Sequence, residues 1–116
     1  MRLRFIEFAG PVVGVEDRFN TFRLGLFYFK HLLPDETVYL LSSKEKMVFG
    51  TAKVEKVKVG GLREMCDLYG HQNHTELANA QEGAADRLFA TMLKIYGPAI
   101  ATPNKKTSIV LLRRLE

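Results

Sequence analysis

Two arginines and a threonine stand close together in the short stretch RFNTFR, residues 18–23. Alternate side chains of an extended strand share a face, so Thr21 and Arg23 are predicted to lie side by side. Arg18 falls in the turn before that strand, from which its side chain is expected to reach towards the other two. Two planar guanidinium groups and a hydroxyl around one point suit a phosphate or a carbonyl group. The alternative is an ordinary strand whose arginines lie in water.

Basic loops and aromatic rings elsewhere extend this candidate site. The loops at 30–31, 44–46 and 104–106 each carry lysine and are predicted to frame the same cleft. Tyr28 and Tyr69, together with Phe27 if it does not belong to the core, are predicted to offer flat faces on which single-stranded bases stack. The predicted binding residues are Arg18, Asn20, Thr21, Arg23, Tyr28, Lys30, Lys44, Tyr69 and Lys105.

Two other groups of residues raise different chemistry. His71 and His74 are three residues apart and would make a metal site if Glu64 or Asp67 supplied a third ligand. That segment follows a glycine and is more typical of a polar turn. Cys66 lies on the apolar side of a short helical pattern, which predicts a core residue and not a nucleophile. No metal site and no cofactor are predicted.

The composition indicates one globular domain, residues 1–116, with 47% hydrophobic and 26% charged residues. A net charge of +4 and an isoelectric point of about 9.3 are compatible with a polyanionic partner. The single cysteine suits a reducing compartment. No apolar run approaches the roughly 20 residues that cross a bilayer, so no membrane partner and a cytoplasmic location are predicted.

The strands that must position these residues follow from alternation and from turn signals. Residues 3–8, 12–15 and 20–24 are predicted as short extended segments, followed by strands over 38–41 and 47–59. In the last of these the apolar residues change parity. A β-bulge near Glu55-Lys56 would keep both apolar sets facing inwards, as happens where a sheet bends to close a barrel.

Helical patterns occupy the remainder of the chain. A short helix or turn is predicted over 26–33, with Phe27 and Phe29 in the core, and a second helix over 62–69 ending at a left-handed Gly70. Asn73 and Glu76 resemble a capping box that would start another helical piece.

A broad apolar stripe predicts the longest helix over 84–96, and a final strand follows over 107–112. Strands first, helices in the middle and a closing strand predict an α+β fold. Its sheet is expected to be a small mixed β-barrel, with two or three helices inserted before the last strand.

The sequence resembles the ASCH domains of the PUA-like β-barrel superfamily. Their hallmark is a glycine, a lysine two residues on, an acidic or hydroxyl residue three beyond that, and an arginine two further. Arg18, Thr21 and Arg23 match the last three positions, with arginine in place of lysine, whereas Glu16 stands where the glycine is expected.

Later motifs follow in the family's order. Leu33-Pro34-Asp35 matches a turn ending in aspartate, and the segment GTAKV at 50–54 matches a Gly-x-Ala-x-Val strand. The resemblance covers roughly residues 18–116. It implies a PUA-like barrel in which RNA or a modified nucleotide binds between the barrel and the intervening helices.

The branch that the sequence is most similar to is the bacterial acetylcytidine amidohydrolases. Their working residues are a lysine and a threonine three apart and a glutamate from the first helix region. Thr21 carries over directly, Arg18 stands at the lysine position, and no carboxylate stands at 69–71. Arginine keeps its proton in proteins and cannot serve as a base.

The resemblance and these departures together favour binding of RNA or a nucleotide over hydrolysis. The alternative is an enzyme, either a deacylase acting on acylated cytidine or a ribonuclease, in which Thr21 and Arg18 would be the catalytic residues. A third possibility is an interaction domain for another protein. The sequence does not indicate an oligomeric state.

Overall fold

A computed structural model of the protein describes residues 4–9 and 17–115. Its strands form one mixed sheet in which the first strand pairs in parallel with the third and every other pairing is antiparallel. The sheet order is β1-β3-β4-β5-β2. The strands are β1, Arg4–Phe8; β2, Arg18–Leu24; β3, Thr37–Ser42; β4, Met47–Gly61; and β5, Lys106–Arg114. The extended piece predicted at 12–15 lies outside the described residues.

Three α-helices and one 3₁₀ helix accompany the sheet. They are α1, Phe27–His31; α2, Leu62–Tyr69; the 3₁₀ helix, Gly70–Gln72; and α3, Ala84–Tyr96. All but α1 are inserted between β4 and β5, before the last strand. The predicted α+β fold is therefore confirmed, and the mixed sheet forms a half barrel that is consistent with the small mixed β-barrel expected from the sequence.

Two apolar clusters lie on opposite faces of the sheet. Since side chains alternate along β2, Phe19 enters the barrel interior while Phe22 packs under α2 and α3. The interior cluster contains Ile6, Phe8, Phe19, Leu32, Val38, Leu40, Ala52, Val54, Val110 and Leu112. The cluster under the helices contains Phe22, Leu62, Met65, Cys66, Leu88, Met92, Ala101 and Ile109.

The predicted β-bulge in β4 is confirmed. Val54 pairs with Leu112 and Lys56 with the adjacent Leu111, so Glu55 is left without a partner in the ladder. The extra residue restores the inward phase, and both Val54 and Val57 pack in the barrel interior.

The segment after α2 differs from the sequence prediction. Gly70 has right-handed helical torsion angles, φ −58° and ψ −35°, so the chain continues into the 3₁₀ helix. The side-chain oxygen of Asn73 accepts hydrogen bonds from the backbone N–H and the hydroxyl of Thr75, which makes a turn. Glu76 does not cap a helix because its carboxylate pairs with Arg87 of α3, at 2.7 Å.

The prediction that Phe27 and Phe29 belong to the core is wrong. Their exposed fractions are 63% and 47%, whereas Tyr28 between them packs against the barrel interior. A helix of five residues turns only a small part of its surface to the sheet, and in α1 that part is taken by Tyr28. Within residues 4–9 and 17–115, no helix is long and apolar enough to cross a membrane.

Candidate functional site

A cavity of about 520 Å³ lies between β1 and β2, which are the two edge strands of the sheet. The ends of these strands form one side, and α3 with the segment after the 3₁₀ helix forms the other. Both sides contribute polar and apolar groups. Polar atoms come from Glu7, Thr21, Arg23, Asn73, His74 and Thr75, and apolar side chains from Phe8, Phe22, Leu88, Met92, Ile95 and Tyr96.

Arg23 connects the two edge strands across this cleft. Its Nη2 donates to the backbone carbonyl of Glu7 in β1, at 2.7 Å, and its Nε donates to the hydroxyl of Thr21, at 3.2 Å. The guanidinium also lies over the rings of Phe8 and Tyr28, 5.2 and 5.8 Å from their centroids. Thr21 and Arg23 therefore share the cleft, as predicted from strand alternation.

The charge of Arg23 is desolvated. Burial lowers the pKa of its guanidinium, although Tyr28, Tyr96 and Glu7 act in the opposite direction. None of the ion pairs formed within the described ranges involves Arg23. An arginine stays protonated at neutral pH, so the cleft contains a positive charge that attracts an anionic or carbonyl oxygen.

His74 contributes a neutral ring to the same cleft. Burial and the nearby charge of Arg23 lower the pKa of His74 to about 4. Its ring stands edge-on to Phe8, with centroids 4.8 Å apart. Its Nδ1 is buried and makes no hydrogen bond to any residue that the structure describes. A neutral imidazole with one nitrogen unpaired is suited to a hydrogen bond with a ligand.

Asn20 holds the segment after the 3₁₀ helix in place at the cleft. Its side chain is fully buried, donates to the carbonyl of Tyr69 at 2.9 Å and accepts from the amide of Asn73 at 3.5 Å. The backbone N–H of His74 donates to the carbonyl of Asn20, at 2.9 Å. Asn20 was predicted to contact a ligand, but its polar atoms are engaged within the protein. It positions Asn73 and His74 instead.

Arg18 does not join Thr21 and Arg23, which corrects the predicted convergence of the three side chains. Arg18 is already the first residue of β2, so alternation turns it to the opposite face. There its Nε donates to the Glu55 carboxylate at 3.0 Å, and the side chain is 62% exposed.

The other predicted binding residues are dispersed. Tyr28 contacts Arg23, and Lys44 lies in a turn whose Ser43 donates to the Glu7 carboxylate at 2.9 Å, beside the cleft. Lys30, Tyr69 and Lys105 do not line the cleft, contrary to prediction. Lys30 lines a separate cavity of about 550 Å³, the Tyr69 ring packs under α3, and the Lys105 carbonyl accepts from the first residue of α2.

The cleft also contains residues that the sequence prediction missed. Glu7 comes from β1, which lies outside the segment resembling ASCH domains. Ile95 and Tyr96 end the apolar stripe that predicted the longest helix, yet they line the cleft and are 64% and 40% exposed. The sequence does not distinguish these two residues from the buried members of the same stripe, because their exposure depends on the tertiary structure.

The histidines and the cysteine have separate environments. His71 lines a shallow cavity of about 360 Å³ beside Asp67, whereas His74 lines the cleft. In the part of the chain that the structure describes, no three His, Cys, Asp or Glu side chains cluster as a metal would require. Burial raises the pKa of the Cys66 thiol to about 11, so the thiol stays protonated at neutral pH.

A mixed half barrel with helices before its last strand, and a cleft between them, defines a PUA-like architecture. Solved structures support this assignment. The chain is similar to the ZmASCH protein from Zymomonas mobilis, solved as a tyrosine-to-phenylalanine variant, with a TM-score of 0.58 and 15% identity over 97% of this chain and 70% of that one. The protein therefore has an ASCH/PUA-like fold, as the sequence resemblance predicted.

Two further structures share the fold. The hypothetical protein PH0355 has a TM-score of 0.63 and 12% identity, over 98% of this chain and 100% of that one. The DUF984 protein EF3133 from Enterococcus faecalis has a TM-score of 0.59 and 8% identity, over 85% of this chain and 61% of that one. No family model matches the sequence, and no curated protein matches it significantly.

Proposed function

We propose that the cleft between β1, β2 and α3 binds RNA or a modified nucleotide. The observation that carries this proposal is the partly buried guanidinium of Arg23, which has no acidic side chain paired with it in the described structure. Two of its five N–H donors bond to Thr21 and Glu7. The remaining donors and the charge suit a phosphate or a base carbonyl.

The shape of the cleft also suits a planar guest with a polar edge. Its α3 side presents the exposed side chains of Ile95 and Tyr96, against which a flat ring can pack. Arg23 and His74, both partly buried, supply polar groups to the same cleft. Apolar walls with a few convergent polar groups are typical of sites for small organic ligands.

Substitution of Arg23 tests this proposal. In anisotropy titrations of short labelled RNAs, the wild-type affinity is expected to fall as salt rises. Arg23→Lys keeps the charge but loses the planar donor pattern, and is expected to weaken binding by at least about tenfold. Arg18→Ala is the matched control, because Arg18 faces Glu55 outside the cleft, and is expected to change affinity less than about twofold.

The opposite ranking of these variants would exclude this cleft as the binding site. Thermal melts are needed alongside the titrations because Arg23 also bridges β1 and β2. Equal affinity of wild-type protein and a folded Arg23→Lys variant would contradict the proposal.

Hydrolysis of an acylated cytidine is the second candidate. The sequence offered no base near Thr21, but the same cleft contains the neutral ring of His74. This ring is chemically able to accept a proton from water. Incubation with acetylcytidine would release cytidine and acetate, detectable by chromatography. No release at high protein concentration would exclude the deacylase and leave binding. A ribonuclease activity and the cytoplasmic location remain predictions from sequence.

A further inference from the structure

The outer face of α1 is an exposed aromatic and basic surface. Phe27 and Phe29 are 63% and 47% exposed, and Lys30 and His31 in the last turn are exposed as well. The rings of Phe27 and His31 are 4.5 Å apart with their planes inclined by 40°. We define the side chains of Phe27, Phe29, Lys30 and His31 as the α1 platform. Single-stranded bases stack on exposed rings of this kind.

The charge around the platform favours a polyanion. The sequence over 24–34 has no acidic residue, and Lys30 and His31 line a cavity with Asp35 and with Glu36, which pairs with Arg4 at 3.3 Å. The backbone carbonyl of Lys106 accepts from Gly25 at 2.7 Å, which brings another basic residue beside the start of α1. Exposed rings beside Lys30 and Lys106 complement a nucleic acid strand better than a protein face.

The platform is continuous with the cleft. The Arg23 guanidinium lies 5.8 Å from the Tyr28 ring, and that ring stands edge-on to Phe27 with centroids 5.5 Å apart. The series of contacts thus runs from the cleft arginine through Tyr28 to Phe27 and then to His31. A strand with one nucleotide in the cleft can pass its neighbouring bases over α1.

From this geometry we infer that the ligand is a single-stranded RNA segment, one nucleotide of which enters the cleft while flanking bases stack on the α1 platform. This inference rests on the proposed function of the cleft and specifies its ligand as an oligonucleotide, not a free nucleotide. The platform adds affinity that depends on strand length, whereas the cleft alone determines the affinity for a single nucleotide.

The test compares labelled hexaribonucleotides with mononucleotides at one moderate salt concentration. The wild type is expected to bind the hexamer at least about tenfold more tightly. The double variant Phe27→Ala with Phe29→Ala is expected to lose most of this gain and to keep its mononucleotide affinity within about twofold. Lys30→Gln with His31→Gln is expected to weaken hexamer binding and lower its salt dependence.

The control is Leu68→Ala with Ile100→Ala, which removes two comparably exposed apolar side chains elsewhere, 54% and 51% exposed. It is expected to leave both affinities unchanged. Hexamer binding that is equal in the wild type and in the Phe27, Phe29 variant would overturn the platform while leaving the cleft proposal intact. Binding insensitive to Arg23→Lys would overturn the cleft proposal instead.

Absence of hexamer binding by the wild type would reject both. Sedimentation provides a further outcome. If wild-type protein dimerises and the Phe27, Phe29 variant is monomeric, α1 is a self-association face and the RNA inference is wrong.

Discussion

Replacing Arg87 with methionine is expected to lower the free energy of unfolding by about 3 kcal/mol. Arg87 pairs with the carboxylate of Glu76, whose residue is only 6% exposed. The guanidinium also donates to the backbone carbonyls of Ala80 and Glu82, at 2.6 and 3.0 Å. The variant would leave a buried carboxylate uncompensated and release the segment that leads from the cleft into α3. Urea unfolding at neutral pH measures the change.

A second arginine provides the control for this variant. Arg63 pairs with Asp67 and Asp86, but both carboxylates are more than half exposed, so Arg63→Met is expected to lower the free energy of unfolding much less than Arg87→Met. Adding Glu76→Gln to Arg87→Met removes the buried charge and is expected to recover part of the lost stability. Equal losses in the two single variants would show that burial of Glu76 is not the cause.

Acidification is expected to destabilise the protein through His74, by up to about 3 kcal/mol between pH 7 and pH 4. Burial and the charge of Arg23 lower the pKa of His74 in the folded protein to about 4, from an ordinary value of 6.5. Below pH 6.5 the unfolded chain takes up a proton at this position while the folded protein does not. The contribution of neutral His74 to stability is complete at pH values above the pKa of the unfolded chain. It is lost as the pH falls towards 4 and does not change further below that pH.

The His74→Gln variant isolates this contribution from those of the carboxylates. Glutamine is neutral throughout the range, so the stability of the variant is expected to fall less steeply with acidification than that of the wild type. Denaturant unfolding at several pH values between 4 and 7.5 gives the two slopes. Parallel curves would mean that His74 is protonated equally in folded and unfolded protein, and that its ring is not desolvated beside Arg23.

The elements of this fold were predictable where the pattern was local. Alternation along β2 placed Thr21 and Arg23 on one face, and the change of parity in β4 located the bulge at Glu55. These features depend on the two-residue period of a strand, which the sequence displays directly. The apolar stripe of α3 likewise fixed the longest helix within its observed limits, 84–96.

The site was only partly predictable because distant segments assemble it. The error at Arg18 came from one boundary: beginning β2 two residues earlier turned that side chain to the other face. Glu7 and His74 line the cleft because β1 and the segment after α2 border the same opening in the sheet. No local sequence pattern indicates that these two segments lie close together. The exposure of Phe27 and Phe29 could not be predicted, because an apolar run in a sequence does not show whether its side chains lie on the surface or in the core.

The irregularity at Glu55 has a consequence for the uniqueness of the fold. The Glu55 side chain, which has no partner in the ladder, forms ion pairs with Arg18 of β2 and Arg113 of β5 on the outer surface, at 3.0 and 3.9 Å. Sliding either strand by one residue would separate those opposite charges and also invert which side chains enter the interior. The bulge residue Glu55 thus helps to fix the register of the strands. Its charge does so on the outer surface, and the extra position it occupies does so for the side chains that face inwards.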